Sequence, residues 1–193
     1  IANKFAKAQR YTMLRRPAIK CSNEIKAARS LALSSSHPDL VWRIACPGTT
    51  YRLTIDEKAV ELERPDEGDM VRYSVSGMSA GMHTFRLETI IAGAVSYTPR
   101  QDSKFAWLSQ EQEIEIQASL AQYQDDVFAQ AGILESHDLL VAVMDSYRVY
   151  FSEQPDDNDM RPLLVRSYSK LGLTALQDKE ARRFRDYPGT EPP

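Results

Sequence analysis

The 193 residues hold only two cysteines, three histidines and eight glycines, and each shortage closes off a class of chemistry. Cys21 and Cys46 form no CxxC pair and have no histidine at ligand spacing, which argues against a zinc site. There is no phosphate-cradling loop, since Gly77-Met78-Ser79-Ala80-Gly81 lacks a following lysine and enters a strand pattern, not a helix. The acidic run Asp156, Asp157 and Asp159 lacks the central glycine and the closing glutamate of a calcium loop, and reads as a solvated turn. The uncharged apolar run around Ile90 to Val95 is far short of the roughly 20 residues a membrane-spanning helix needs. Ten prolines, eight glycines and nine tyrosines in a chain with 42% apolar and 26% charged residues exclude collagen-like, low-complexity and coiled-coil classes, leaving a soluble globular protein of one or two small domains.

The histidines make no catalytic pattern. His37 sits between Ser36 and Pro38 and reads as a turn residue. His83 opens a strand with no acid at a spacing that would orient it as a base, so a structural role is expected. The run Glu135-Ser136-His137-Asp138 invites a nucleophile–base reading, but neighbours on one loop cannot converge as a triad does, and helix capping is the better account. No catalytic residue, metal ligand or cofactor is assigned, and the chain is expected not to be an enzyme.

Charge is unevenly spread. Residues 1–30 carry +7, residues 31–100 carry −2 and residues 101–193 carry −8. A basic arm on an acidic body implies an anionic partner for the arm, either nucleic acid, a membrane surface or an acidic protein face. A solvated or targeting-like extension is the plainer alternative. Because the chain opens with Ile1 and not Met, the numbering is expected to start inside a longer precursor or at a processed end. The two cysteines fit either one disulfide in an oxidising compartment or two buried thiols, and the sequence does not choose between them.

From Pro38 to about Tyr97 apolar residues recur with a period of two, as in Tyr51, Leu53 and Ile55 or Phe85 and Leu87. Asp56-Glu57-Lys58 is a tight turn between two such runs, and Arg64 to Asp69 is loop chemistry. Five or six short strands punctuated by turns predict a small antiparallel β-sandwich. Beyond Pro99 the period becomes helical. Ile116, Leu120, Tyr123 and Val127 form one stripe ending at Gly132, and Leu140, Val143, Tyr147 and Tyr150 form another, capped by Ser136 or Asp138. After the break at Pro155 to Asp159, a third helix runs through Leu164 and Tyr168 to Gly172, and a fourth carries Leu176, Ala181, Phe184 and Tyr187.

Two resemblances follow from these residues. The corner Ser76-Gly77-Met78-Ser79-Ala80-Gly81-Met82-His83-Thr84-Phe85-Arg86-Leu87, within Tyr51 to Glu88, resembles the closing half of immunoglobulin-like and PEGA-type modules of bacterial envelope proteins. That likeness implies a spacer or adhesion module without catalysis. The second helical hairpin resembles a tetratricopeptide unit, with Leu164, Tyr168 and Gly172 in the order of that motif's first helix and Pro188 near its closing proline. Arg161 stands where that motif usually has a large aromatic.

The expected fold class is therefore α+β, with a basic arm (1–36), an immunoglobulin-like β-sandwich (37–100) and a four-helix, tetratricopeptide-like block (101–193). The function this suggests is a non-enzymatic interaction or scaffold subunit of an assembly, placed in the envelope on the periplasmic or extracytoplasmic side. Its candidate partner-binding residues are Arg15 and Arg16 on the arm, Tyr147, Tyr150 and Tyr168 on the helices, and Trp107 at the joint. A carbohydrate- or cell-wall-binding module using an exposed Trp107 is the alternative, and a small hydrolase ranks below it. The expected partner is a protein, with a glycan second and nucleic acid disfavoured because the body is acidic.

Overall fold

The computed structural model describes residues 21–185. Eight strands precede five α-helices among them: β1 (Ser30–Leu33), β2 (Asp39–Trp42), β3 (Thr49–Ile55), β4 (Lys58–Leu62), β5 (Val71–Ser74), β6 (Gly81–Ile91), β7 (Ala94–Tyr97), β8 (Ser103–Trp107), α1 (Gln110–Leu120), α2 (Val127–Ser136), α3 (Leu140–Glu153), α4 (Arg161–Lys170) and α5 (Thr174–Arg185). The architecture is α+β, with an immunoglobulin-like sandwich followed by a helical block.

Strand β3 shows why the sandwich forms. Tyr51, Leu53 and Ile55 are buried while Arg52 and Thr54 are only half-buried, the alternation that a pleated strand imposes. Leu53 lies opposite Val60 of β4 and Leu87 of β6. On the other face Arg52 pairs with Glu61 at 2.9 Å and Glu88 at 3.7 Å, a cross-strand set of opposite charges. The turn from β3 to β4 places Asp56 and Glu57 at positive φ, the two-residue geometry that follows the strand twist. The larger sheet runs β1-β8-β6-β3-β4, with β7 also on β6; β2 and β5 form the second layer. Trp42 of β2 meets Tyr51 edge-on, ring centroids 5.7 Å apart.

Several features depart from the sequence reading. The sheet is not wholly antiparallel, because β1 pairs with β8 in parallel, Leu31 beside Phe105 and Leu33 beside Trp107. Both strands also lie outside 37–100, β1 within what reads as arm and β8 within what reads as helical block. The first long helix is in fact two. A single 3-10 turn (Ala121–Tyr123) follows α1, and Asp126 then caps α2 by accepting from the amides of Phe128 and Ala129. Gly132 is inside α2 and stops nothing; α2 closes at Asp138, at φ 57°, with the Leu139 amide donating to the Leu134 carbonyl. Ser136 and Asp138 therefore do not cap α3, which begins after Leu139 without a side-chain cap.

The two regions share one apolar core, from Ile25 and Leu31 through Trp42, Tyr51 and Phe105 to Leu134, Met144, Tyr168 and Leu173. Polar contacts join them as well. The Ala32 amide donates to the Asp138 carbonyl at 2.8 Å. Arg72 of β5 reaches Asp39 at 2.6 Å and grips Asp145 of α3 with two bonds of 2.7 and 3.0 Å, the fork geometry that guanidinium favours. The hydrogen bond to Asp145 chiefly, then that to Asp39, raises the Arg72 pKa against the opposing effect of burial. Arg148 pairs with Asp69 at 2.9 Å.

Candidate interaction site

The arm has a fixed root. Cys21 and Cys46 are joined in a disulfide with Cα atoms 5.1 Å apart, a separation ordinary for such a bridge. Just beyond it, Asn23 Oδ1 accepts from Thr49 Oγ1 at 3.0 Å and the Cys46 amide at 3.3 Å, and its carbonyl accepts from Thr89 Oγ1 at 3.0 Å. Arg43 donates to the carbonyls of Ser22, at 2.7 Å, and Glu24; its pKa is lowered by burial. Ile25 and Ala28 are buried in the common core.

The strap formed by residues 21–29 also touches the helices. Gly172, between α4 and α5, has φ 71°, and a Cβ there would stand 1.9 Å from the Lys26 carbonyl oxygen. Only glycine permits both the left-handed turn and that approach. Beside this contact is an open cleft of about 600 Å³ lined by Cys21, Arg43, Ile44, Leu173, Leu176 and Arg182 among others.

The sequence-selected residues have different fates. Arg15 and Arg16 lie outside the described residues. Tyr147 and Tyr168 are core residues, 6% and 4% exposed, so their rings pack inside the helical block and do not line an open groove. Burial raises the pKa of both. Tyr150 is half-buried, edge-on to Phe128 and Phe151 with centroids 4.8 and 5.1 Å apart, and its hydroxyl bonds Asp157. Trp107 is half-buried against the core, and its neighbour Phe105 is fully buried. Phe105 packs against His83 and Phe85 within the sheet, and the half-buried Trp107 does not offer the exposed ring a sugar-stacking platform uses.

His83 has the acid that sequence spacing did not show. Its Nδ1 is 2.5 Å from Asp56 Oδ2 in the β3–β4 turn, its Nε2 is 2.8 Å from the Ser79 carbonyl, and the ring stacks on Phe105. The bond to Asp56 raises its pKa, against the desolvation that lowers it. With both nitrogens occupied the ring ties two turns together and has no free nitrogen for base catalysis. Among the described residues no group of three potential metal ligands converges.

The net negative charge of the helical block is concentrated in its first half, a detail the sequence reading of 101–193 as a whole did not resolve. From residue 105 to residue 147 there is no lysine or arginine against eight acids. Some of these acids are engaged. Glu113 accepts from Ser35 Oγ and the Ser36 amide, both at 2.6 Å; burial opposes its charge, yet these bonds hold its pKa at about 2. Glu135 binds Arg166 and Lys170. On α1, by contrast, Glu111 and Glu115 are exposed and make no ion pair among the described residues.

Residues 25–108 match the family model described as "Magnetotaxis protein MtxA, Immunoglobulin-like domain", and residues 108–186 match "Magnetotaxis protein MtxA, C-terminal domain". The chain carries the two MtxA domains in tandem and belongs to that family. The junction of the MtxA domains at residue 108 is where β8 ends and the Leu108 amide donates to the Leu33 carbonyl of β1. No curated protein matches the chain. A slight likeness links it to the extracellular domain of a one-component system from B. thetaiotaomicron, 11% identical, covering 49% of this chain and 16% of that one, with a TM-score of 0.31. The chain thus corresponds to a small part of that protein's length, and the likeness carries no argument.

Proposed function

We propose that the chain is a non-catalytic interaction or scaffold subunit of a magnetotaxis-related assembly, working on the extracytoplasmic side and engaging an acidic partner protein through its basic arm. The observation that carries this reading is the arm's root. A disulfide and a strap anchored by the buried Ile25 and Ala28 hold residues 21–29 across both domains, so a segment with six cations and no acid in residues 1–20 is tethered to that body. A stable disulfide is the chemistry of an oxidising compartment, which supports the extracytoplasmic placement. In this reading Arg15 and Arg16 contact the partner, and Tyr147 and Tyr168 stiffen the helical block that carries them.

The test is affinity purification from the cells that make the protein. The full chain should retain a stoichiometric partner that is lost when residues 1–20 are removed or Arg15→Glu is combined with Arg16→Glu. The strand β1 must be kept, so the cut falls before Cys21. If the full chain retains nothing, or the truncated chain retains the same partner, the reading is wrong.

A further inference from the structure

Helix α1 is poorly accounted for by the body it belongs to. Of its eleven residues only Ile116 is buried, and a helix this short is marginal in water on its own. The Ser109–Gln112 capping box and Glu113 anchor its first turn. The opposite side is exposed. Ile114, Ala118 and Ala121 follow one another at i, i+4 and i+7, all exposed, Ile114 by 60%. That spacing makes an apolar stripe, and Glu111 and Glu115 run along one edge of it without a cation among the described residues. The face fits a segment that is both basic and apolar.

Residues 1–20 have that character: Lys4, Lys7, Arg10, Arg15, Arg16 and Lys20 interspersed with Phe5, Tyr11, Met13 and Leu14, and no acid. We propose that in the free protein residues 1–20 dock on the α1 face of their own chain, Ile114, Ala118 and Ala121 taking the apolar side chains and Glu111 and Glu115 the cations. Length permits it. Twenty residues extend to about 66–72 Å, whereas a body of this size has a radius of gyration of about 15 Å, so an arm rooted at Cys21 reaches any point on the surface. Tethering also favours it, because an attached segment is present at an effective concentration of about 1 mM, enough to fill a site of about 0.1 mM affinity roughly tenfold over. The docked arm is masked from acidic partners until one with a stronger face displaces it. This regulation rests on the arm being the interaction element, but its test reads the arm's seat directly and needs no partner.

The experiment uses the full chain, mixed in equal amounts as ¹⁴N and ¹⁵N protein and treated with a carbodiimide, which joins a lysine to a carboxylate in contact. Mass spectrometry should find Lys4 or Lys7 linked to Glu111 or Glu115 within chains of one isotope. Amide exchange over Gln110–Leu120 should quicken about tenfold when Lys4, Lys7, Arg10, Arg15 and Arg16 are all changed to Gln, with melting temperature as the check on folding. Links only between isotopes would overturn the proposal by making a second copy the occupant. Absence of links to α1, together with unchanged exchange in the variant, would also overturn it.

Discussion

Removing the carboxylate of Glu180 tests the core of the helical block most directly. Arg161, at the start of α4, is 3% exposed, and its Nη1 donates to Glu180 Oε2 of α5 at 2.6 Å. The guanidinium also reaches Asn158 Oδ1 at 3.3 Å and the Pro155 carbonyl, and lies 4.9 Å over the Phe151 ring. Glu180→Ala leaves that cation buried with neutral acceptors only. Breaking such a pair from one side costs about 3–5 kcal/mol. For a chain of this length each kcal/mol moves the melting temperature by about 2–4 °C, so a fall of about 6–20 °C is expected by circular dichroism. Glu180→Gln keeps the shape and an acceptor and isolates the charge; its loss should be smaller. Arg161→Met with Glu180→Leu removes both charges, although the Pro155 carbonyl and Asn158 Oδ1 then lose a donor at about 1–3 kcal/mol each. The double variant should therefore fall by less than the two single losses added together. A Glu180→Ala shift below about 2 °C, or strict additivity in the cycle, would refute the reasoning.

Three further outcomes are expected. Cys46→Ser opens a loop of about 25 residues, which corresponds to about 3–4 kcal/mol of chain entropy; it should lower stability by that order and expose residues 21–29 to limited proteolysis, and an unchanged digestion pattern would count against the strap. Gly172→Ala should cost well beyond the roughly 1–2 kcal/mol of a left-handed alanine, because its Cβ meets the Lys26 carbonyl; denaturant titration checks this, and a loss within that range would mean the strap yields. The His83 pKa is raised above its ordinary 6.5 chiefly by Asp56, and the Asp56 pKa is lowered below 3.8 chiefly by His83, so the His83 contribution is complete below pH 6.5 and fades as pH rises through its folded pKa, while that of Asp56 fades as pH falls through its own, below 3.8; the melting-temperature gap between wild type and His83→Gln should be widest near pH 5–6 and narrow by pH 9, and a flat gap would refute the pairing.

What the sequence revealed of the fold follows local periodicity. β3 and the inward Phe85 and Leu87 were readable because a half-buried strand has a period of two. β1 was not, since Leu31, Ala32, Leu33 and Ser34 are all buried in a row, and a short unalternating run carries no periodic signal. Its partner β8 is some 70 residues away and parallel, a pairing no turn chemistry announces. The stripe Ile116, Leu120, Tyr123, Val127 keeps helical spacing across a real break; the cue was Asp126, a cap residue inside the stripe. His83 and Asp56 likewise meet only because β3 and β6 pair in register with Ile55 beside Phe85.

The candidate site was harder to read, because tyrosine density marks core and surface alike. Helix α3 packs against α2, α4 and β2, so Tyr147 and Phe151 are surrounded and only Tyr150 reaches the rim. A helix covered on several sides has no groove to give. The helix with a side to spare is α1, whose apolar stripe is faint in the sequence because a single isoleucine and two alanines stand among glutamates and glutamines. Its acids differ from Glu135, Asp145 and Asp69, each of which meets an arginine of the body. Among the described residues no counterion meets this exposed face, and the twenty residues before Cys21 carry six cations and no acid; the two charges are complementary, and the cross-linking experiment decides whether they meet within a chain.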